Sequence, residues 1–423
     1  MKILFLINSK FAGDALSSGP LGGTETALIG TSRELAKNPD NQVFVCANTP
    51  ERQTWDDVDY LPLDQLGAWA SQNTVDVFIS VRSWLPLWFP LRARARIYFS
   101  PDAYDQPSLL SAASAQIRID GQTLQVPVLK PAEFFSSINR VFCVGRWQAG
   151  TFDEELGFPR EKLLITGNAI FPENFRPLPL QQRQNSIVYS ATPFRGLEYM
   201  VDYFQQLKTE YPDLLFEVCS GLGVYGRSAK EDQTQFGQLY DGLSLGGATL
   251  HGPVDQRTLA EIMCRSRLYT YPNTFAETFC ISVLEAQAAG LPVITSDLGA
   301  MPERITHGVD GFLISGSPSE GEYRRSFIEL SEQLLTDDNL WLTISNAAIK
   351  TAAGQTYANV AAQWVEVFKD ILRQNSEATA PAPPKMAARK VSIPGHSGRQ
   401  LDLPGEYIDQ YIKGEFANFG FSA

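Results

Sequence analysis

Short apolar runs alternate with segments of helical period along most of the chain. Residues 3–7, 42–46, 75–81, 96–99 and 140–144 are brief, rich in β-branched and aliphatic side chains and bounded by turn formers, the pattern of buried strands. Between the first two, residues 25–37 place Ala27, Leu28, Thr31 and Leu35 on one side of a helix. Near Asn168 the rhythm restarts. Strands are predicted at 186–190, 214–219, 248–251, 267–271 and 293–296, with helices at 197–208, 259–265 and 279–289. Strand–helix–strand alternation means parallel sheets joined by right-handed crossovers. Two such sets, parted by Pro172, Pro177 and Pro179, predict an α/β protein of two Rossmann-like domains with a cleft between them, 1–171 and 172–375. A helical region at 326–373 closes the second domain. Residues 376–390, with Pro381, Pro383 and Pro384, read as an extended linker. The tail 391–423 carries Tyr407, Tyr411, Phe416, Phe419 and Phe421; its stretch 404–416 fits a short amphipathic helix that docks on the chain itself or waits for a partner.

Length and charge narrow the function classes. A chain of 423 residues exceeds the size at which one core keeps growing, in line with two domains. Apolar residues at 44% exclude a largely disordered chain. A net charge of −12, from 35 basic and 47 acidic residues, excludes global attraction to nucleic acid or anionic lipid. A local basic–aromatic stretch, Arg82, Trp84, Trp88, Arg92, Arg94 and Arg96, is the candidate for peripheral membrane contact, with an ordinary loop as the preferred reading. The five cysteines are scattered and lack any C-x-x-C spacing, so neither a disulfide framework nor a zinc site is expected, and a cytoplasmic setting is. The opening MKILFLIN reads as a strand and not as a signal peptide, and no apolar stretch approaches 18 residues.

The window from Tyr271 to Glu303 concentrates the chemistry. A strand ends at Pro272, a loop carries Glu277, and a helix beginning near Phe279 carries Glu285 eight residues further on. Both carboxylates can then border one cleft at different depths. The backbone N–H groups of Phe279, Cys280 and Ile281 would leave the helix N-terminus as an anion site fit for a diphosphate. Gly290 and Pro292 mark the helix end. Near the N-terminus, Gly22-Gly23-Thr24-Glu25 follows a strand and opens a helix, and its glycines let the backbone approach a phosphate. No G-x-G-x-x-G fingerprint stands there, which argues against a dinucleotide enzyme. Asp56-Asp57 and Asp337-Asp338 read as solvated charges, so no metal is called for.

The E-x7-E spacing followed by E-A-x-A-A-G-x-P-V resembles the donor-binding signature of GT-B glycosyltransferases, specifically the retaining family four, over about residues 1–373. Gly22 and Gly23 resemble its GG-x-E loop, and Asn168 to Phe175 resembles its interdomain segment with Ala169 in place of a usual glycine. Arg195 stands where the family has a diphosphate-binding lysine, and Ser190 where it has an arginine. His251-Gly252-Pro253-Val254 resembles the segment whose backbone contacts the base, and Gly221 and Gly223 a turn near the donor. The resemblance implies hexose transfer from a UDP- or GDP-linked sugar to a glycan, lipid-linked or other hydroxyl acceptor, giving an α-glycoside without a metal cofactor. Arg195, Gly22, Gly23 and the N–H groups around Cys280 would hold the diphosphate, Glu285 the ribose hydroxyls and Glu277 the donor sugar. The first-domain histidine common in the family is missing, and Asp102, with Asp105 behind it, is the candidate to take its place. The rival reading is a catalytically inactive GT-B subunit that binds sugar or acts as a scaffold.

Overall fold

The computed structural model describes all residues except 12, 84–86, 88–90, 107–113, 120–121, 128–134, 378–388, 393–399 and 404–423. The chain divides into two compact units: residues 1–13, 31–166 and 361–423 form the first, and 14–30 with 167–360 the second.

Unit 1 is built on an eight-stranded sheet. Its strands are β1 (Lys2–Leu6), β2 (Gln42–Ala47), β3 (Gln53–Trp55), β4 (Val58–Pro62), β5 (Thr74–Val81), β6 (Arg92–Phe99), β9 (Arg140–Cys143) and β10 (Leu163–Ile165), with a separate hairpin of β7 (Ser114–Ile119) and β8 (Gln122–Pro127). The order is β10-β9-β6-β5-β1-β2-β4-β3, parallel throughout except for β3 against β4. The central strands are buried on both faces, which is why Ile3–Phe5 and Val77–Ile79 read as unbroken apolar runs. One helix, Tyr357–Glu377, contributes its later part to this unit. There Trp364 stacks on Phe5 and meets Phe99 and Phe142 edge-on, with ring centroids 6.1, 5.1 and 4.7 Å away.

The arginines of the basic–aromatic stretch are committed inside unit 1. Arg96 is fully buried and donates to the carbonyls of Leu87 and Leu91, its pKa pushed down to about 10 by burial. Arg94 pairs with Asp76 at 3.0 Å, Arg92 donates to the Ser71 carbonyl, and Arg82 pairs with Asp102. Trp84 and Trp88 lie outside the described residues. In the described part of the stretch, backbone carbonyls and carboxylates thus engage the guanidinium groups, and Arg92–Phe99 is a strand in place of the expected loop.

Unit 2 carries β11 (Ser186–Tyr189), β12 (Leu215–Val218), β13 (Thr249–Leu250), β14 (Leu268–Tyr271), β15 (Val293–Ser296) and β16 (Phe312–Ile314) in the order β13-β12-β11-β14-β15-β16, all parallel. The helix Gly23–Ala36 buries Ala27, Leu28, Thr31 and Leu35, the face its periodicity marks. The region expected to be helical from 326 to 373 is three helices, Gly321–Thr336, Asp338–Ala352 and Tyr357–Glu377. The acidic pairs serve locally. Asp56 and Asp57 take positive φ in the turn between β3 and β4, and Asp337 caps the second of these helices.

Of the tail, β17 (Arg389–Ser392) and β18 (Gln400–Leu403) pair antiparallel; the expected helix at 404–416 and most of the linker lie outside the described residues. Among the described residues no helix is long and apolar enough to cross a membrane. Replacing Trp364 with alanine is expected to destabilise the protein by about 3–5 kcal/mol in urea unfolding, as for other large aromatic truncations in a core. A loss under about 1 kcal/mol would contradict this packing of the sheet face.

Candidate functional site

The topology of unit 2 locates the site before any side chain is considered. From β11 the chain moves outward to β12 and β13, then returns to β14 on the other side and moves outward to β15 and β16. Connections leaving β11 and β14 in opposite directions open a crevice at their carboxyl ends, the place where open parallel sheets bind ligands. Arg195 follows β11 and Glu277 follows β14. They meet there, with Arg195 Nη1 donating to Glu277 Oε1 at 2.6 Å. The Tyr271 hydroxyl donates to the same oxygen at 2.5 Å, and Arg195 Nη2 donates to the Tyr225 hydroxyl at 3.3 Å. The guanidinium also lies 4.3 Å from the Phe275 ring centroid. Burial, reinforced by the Glu277 charge, holds the Tyr271 phenol well above its ordinary range, so it stays a donor. Burial alone would lower the Arg195 pKa, but Glu277 and the neighbouring tyrosines outweigh it and raise it, so the cation persists.

Three residues force this meeting. Gly196, at φ +109°, lies so close to the next loop that a Cβ would sit 2.0 Å from the Pro272 carbonyl oxygen. Gly299, at φ +62°, lies against the backbone of Ala276 and Glu277, where a Cβ would come within 2.8 Å of three backbone atoms. The wholly buried Asn273 ties the loop to β15: its Oδ1 accepts from Thr295 Oγ1 and the Ser296 N–H, and its Nδ2 donates to the Phe275 carbonyl.

Beyond this loop, Cys280 adopts φ +67°, a left-handed conformation rarely taken by residues other than glycine, and the helix Ile281–Ala288 starts after it. The helix thus begins two residues later than expected, so its unsatisfied N–H groups belong to Ile281 and the residues after it. The Cys280 thiol is pushed up to about 12 by burial, then by Glu277, and stays protonated. Phe279 is buried with its ring 4.1 Å beneath the Arg304 guanidinium. Gly23 comes to the same helix, where a Cβ on it would stand 3.2 Å from Ile281 Cδ1, whereas a Cβ on Gly22 would stand 3.5 Å from the Val224 carbonyl, away from that helix. Glu285, one turn below Ile281, is buried, and its carboxyl makes no hydrogen bond to a described residue. Burial alone pushes its carboxyl up to about 8. It lines a narrow crevice with Thr26, Asn174, Gln256, Ile281 and Tyr357.

The remaining candidates have other surroundings. Val254 packs against the unit 2 core just before Asp255, which caps the next helix. Pro253 lies on the Gly221–Gly223 turn, 2.8 Å from where either glycine's Cβ would stand. His251 Nε2 and the buried Glu217 are 2.6 Å apart. Ser190 Oγ is 3.1 Å from the Tyr269 hydroxyl. Asp102 belongs to unit 1, after β6, and pairs through Oδ2 with Arg82 Nε at 3.0 Å; Arg82 itself has φ +65°. Asp105 is exposed and accepts from Gln106. Among the described residues no group of three or more His, Cys, Asp or Glu side chains is placed to hold a metal ion. The residues that sequence reasoning missed are Tyr271, Tyr225, Asn273, Gly299 and Tyr357. The first and third stand inside the quoted window as Y-P-N, a strand-end tyrosine and a buried loop amide, whereas nothing near 357 marks the last.

Two outcomes test this geometry. Glu277→Ala leaves the Arg195 cation buried without its partner and is expected to cost about 3–5 kcal/mol in denaturant unfolding. For Glu285, burial raises the folded-state pKa from the ordinary carboxylate range to about 8, so its neutral form is the favoured one. That stabilisation is complete below the unfolded pKa and is lost as pH rises through the folded one. Glu285→Gln should therefore gain on wild type, on the order of a few kcal/mol, between about pH 5 and pH 8. A pH-independent difference would contradict the burial of this carboxyl.

Residues 186–335 match the family model described as glycosyl transferases group 1. The chain is 26% identical over 240 residues to an exopolysaccharide phosphotransferase of Streptomyces coelicolor, covering 56% of this chain and 23% of that protein. It is 24% identical over 212 residues to a D-inositol 3-phosphate glycosyltransferase of Corynebacterium urealyticum, covering 50% and 48%. The matches thus span under half the length of either relative. Among solved structures, sucrose-phosphate synthase from Thermosynechococcus elongatus superposes with a TM-score of 0.66 at 14% identity, over 88% of this chain and 99% of that one. Anabaena HepE in complex with UDP-glucose gives 0.62 at 18%, over 88% and 100%. Two parallel-sheet α/β units of this kind are the GT-B fold, and within it residues 186–335 match the glycosyl transferases group 1 model.

Proposed function

We propose that the protein is a retaining hexosyltransferase that moves a sugar from a UDP- or GDP-linked donor to a hydroxyl of a glycan or lipid-linked acceptor in the cytoplasm, without a metal cofactor. The observation that carries this reading is the Arg195–Glu277 pair at the switch point of a group 1 domain. The departing diphosphate gathers negative charge as the glycosidic bond breaks, and Arg195 with the N–H groups of the Ile281 helix supplies fixed positive potential at that place. Gly23, beside Ile281, and Gly22 before it leave room for the phosphates. Glu277 accepts hydrogen bonds from the donor sugar, so the incoming diphosphate takes over part of the guanidinium that Glu277 holds in the unliganded protein. Glu285 takes the ribose hydroxyls, and Val254 lies beside the base. Attack from the face the diphosphate leaves accounts for retention, with catalysis resting on positioning and leaving-group stabilisation. Asp102, held by Arg82, serves the acceptor side. The printed names of the relatives, among them an inositol phosphate glycosyltransferase and a UDP-glucose complex, support a sugar nucleotide donor and a polyhydroxylated acceptor.

Ser190, standing where the resemblance expects a second cation, favours one alternative, a sugar-binding subunit without turnover. Incubation with UDP- and GDP-sugars decides: the proposal expects an α-linked product or slow donor hydrolysis, while tight binding with no turnover supports the alternative. If no sugar nucleotide binds, both fail. Arg195→Ala is expected to weaken UDP or GDP binding at least about tenfold and to leave nucleoside binding within about threefold, as loss of a charge-assisted phosphate contact requires. Equal losses for both ligands would contradict its phosphate role.

A further inference from the structure

The crevice below Ile281 holds two polar groups with nothing to bond. Tyr357 is 2% exposed, and its hydroxyl is buried without a hydrogen-bond partner among the described residues. Glu285 opposite has no partner either, and its field reaches the phenol. An orphaned buried hydroxyl is disfavoured in a native fold by about 1–3 kcal/mol. The usual remedy, a bridging water, is not open here, because the crevice is too narrow in this form to seat one. Phenylalanine at this position would fill the same apolar contacts, the Phe171 ring at 4.7 Å and the close approach of Gly30, without the cost.

The place of the crevice says what could satisfy both groups. Ile281 and Glu285 are four residues apart on the same face, about 6 Å along the axis. A diphosphate seated at the start of this helix would put the next group of a nucleotide, its ribose, beside Glu285. The polar side chains of Thr26 and Gln256 line the same crevice, already joined by a weak hydrogen bond at 3.4 Å. We propose that Tyr357 is a ligand-contacting residue of the donor site, its hydroxyl and the Glu285 carboxyl sharing the vicinal diol of the nucleotide ribose. This rests on the donor reading above and adds to it a residue from the far end of the chain. Entry of the ribose widens the crevice between the first turns of the Gly23–Ala36 and Tyr357–Glu377 helices. The contact makes the site selective for ribonucleotides over deoxyribonucleotides.

The test titrates UDP and GDP, each with its 2′-deoxy and 3′-deoxy analogue, against the wild-type chain, Tyr357→Phe and Glu285→Gln by calorimetry, with thermal melting in parallel. The wild type is expected to bind the better ribonucleotide at least about tenfold more tightly than one of its deoxy analogues. Tyr357→Phe should bring that ratio below about threefold, by weakening the ribonucleotide and leaving the deoxy analogue nearly unchanged, while its melting temperature holds or rises. A Tyr357→Phe variant that keeps the wild-type ratio overturns the proposal and leaves the donor reading standing. A wild type that binds UDP or GDP without discriminating either deoxy analogue overturns it as well. Failure of every nucleoside diphosphate to bind the wild type overturns the donor reading together with this one.

Discussion

One largely buried ion pair organises the crevice of unit 2: Arg195 and Glu277, 2.6 Å apart at the carboxyl ends of two adjacent strands whose connections run in opposite directions. A cation and a carboxylate removed from water are tolerated only when each has its partner and further hydrogen bonds, which Tyr271 and Tyr225 supply. Close backbone approach makes the pair possible. Gly196 lets the β11 turn touch Pro272, Gly299 lets the next loop touch Glu277, and Asn273 locks the intervening residues to β15. The cost of holding charge in a desolvated place is met by rigid elements on both sides, as expected of a preorganised site.

The same burial separates the two glutamates of the E-x7-E motif. Glu277 is hydrogen-bonded by a guanidinium and a phenol, whereas the Glu285 carboxyl is bonded by neither and rests neutral, pushed up to about 8. Two carboxylates eight residues apart thus begin in different states: one locked in an ion pair, one uncharged in a narrow crevice. The net charge of −12 is consistent with an anionic ligand on this account, because binding depends on one guanidinium and one helix start and not on the surface as a whole.

Much of this was legible in the sequence. Strand and helix periods located the main elements of both sheets to within a few residues, because parallel strands buried on both faces leave unbroken apolar runs. The short strands Gln53–Trp55, Leu163–Ile165 and Phe312–Ile314 carry too few residues to show a period. Glu277, Glu285 and Arg195 were found through their motif. Tyr271 and Asn273 escaped because their roles arise from loop packing, in which partners twenty or more residues away decide what a side chain does. Tyr357 is further still, 72 residues beyond Glu285, and no local pattern links the two. The basic–aromatic stretch shows the opposite limit: composition counts arginines, and only the fold reveals that Arg96 is buried against carbonyls while Arg82 faces Asp102.

The most direct measurement of the central claim is a crystal structure of the protein with the tighter-binding nucleoside diphosphate. The account predicts a diphosphate oxygen about 2.7–3.2 Å from an Arg195 nitrogen, with a second oxygen at the N–H groups that open the Ile281 helix and Glu277 turned toward the space a donor sugar would fill. A diphosphate bound away from the carboxyl ends of β11 and β14, with the Arg195–Glu277 pair undisturbed, would contradict it.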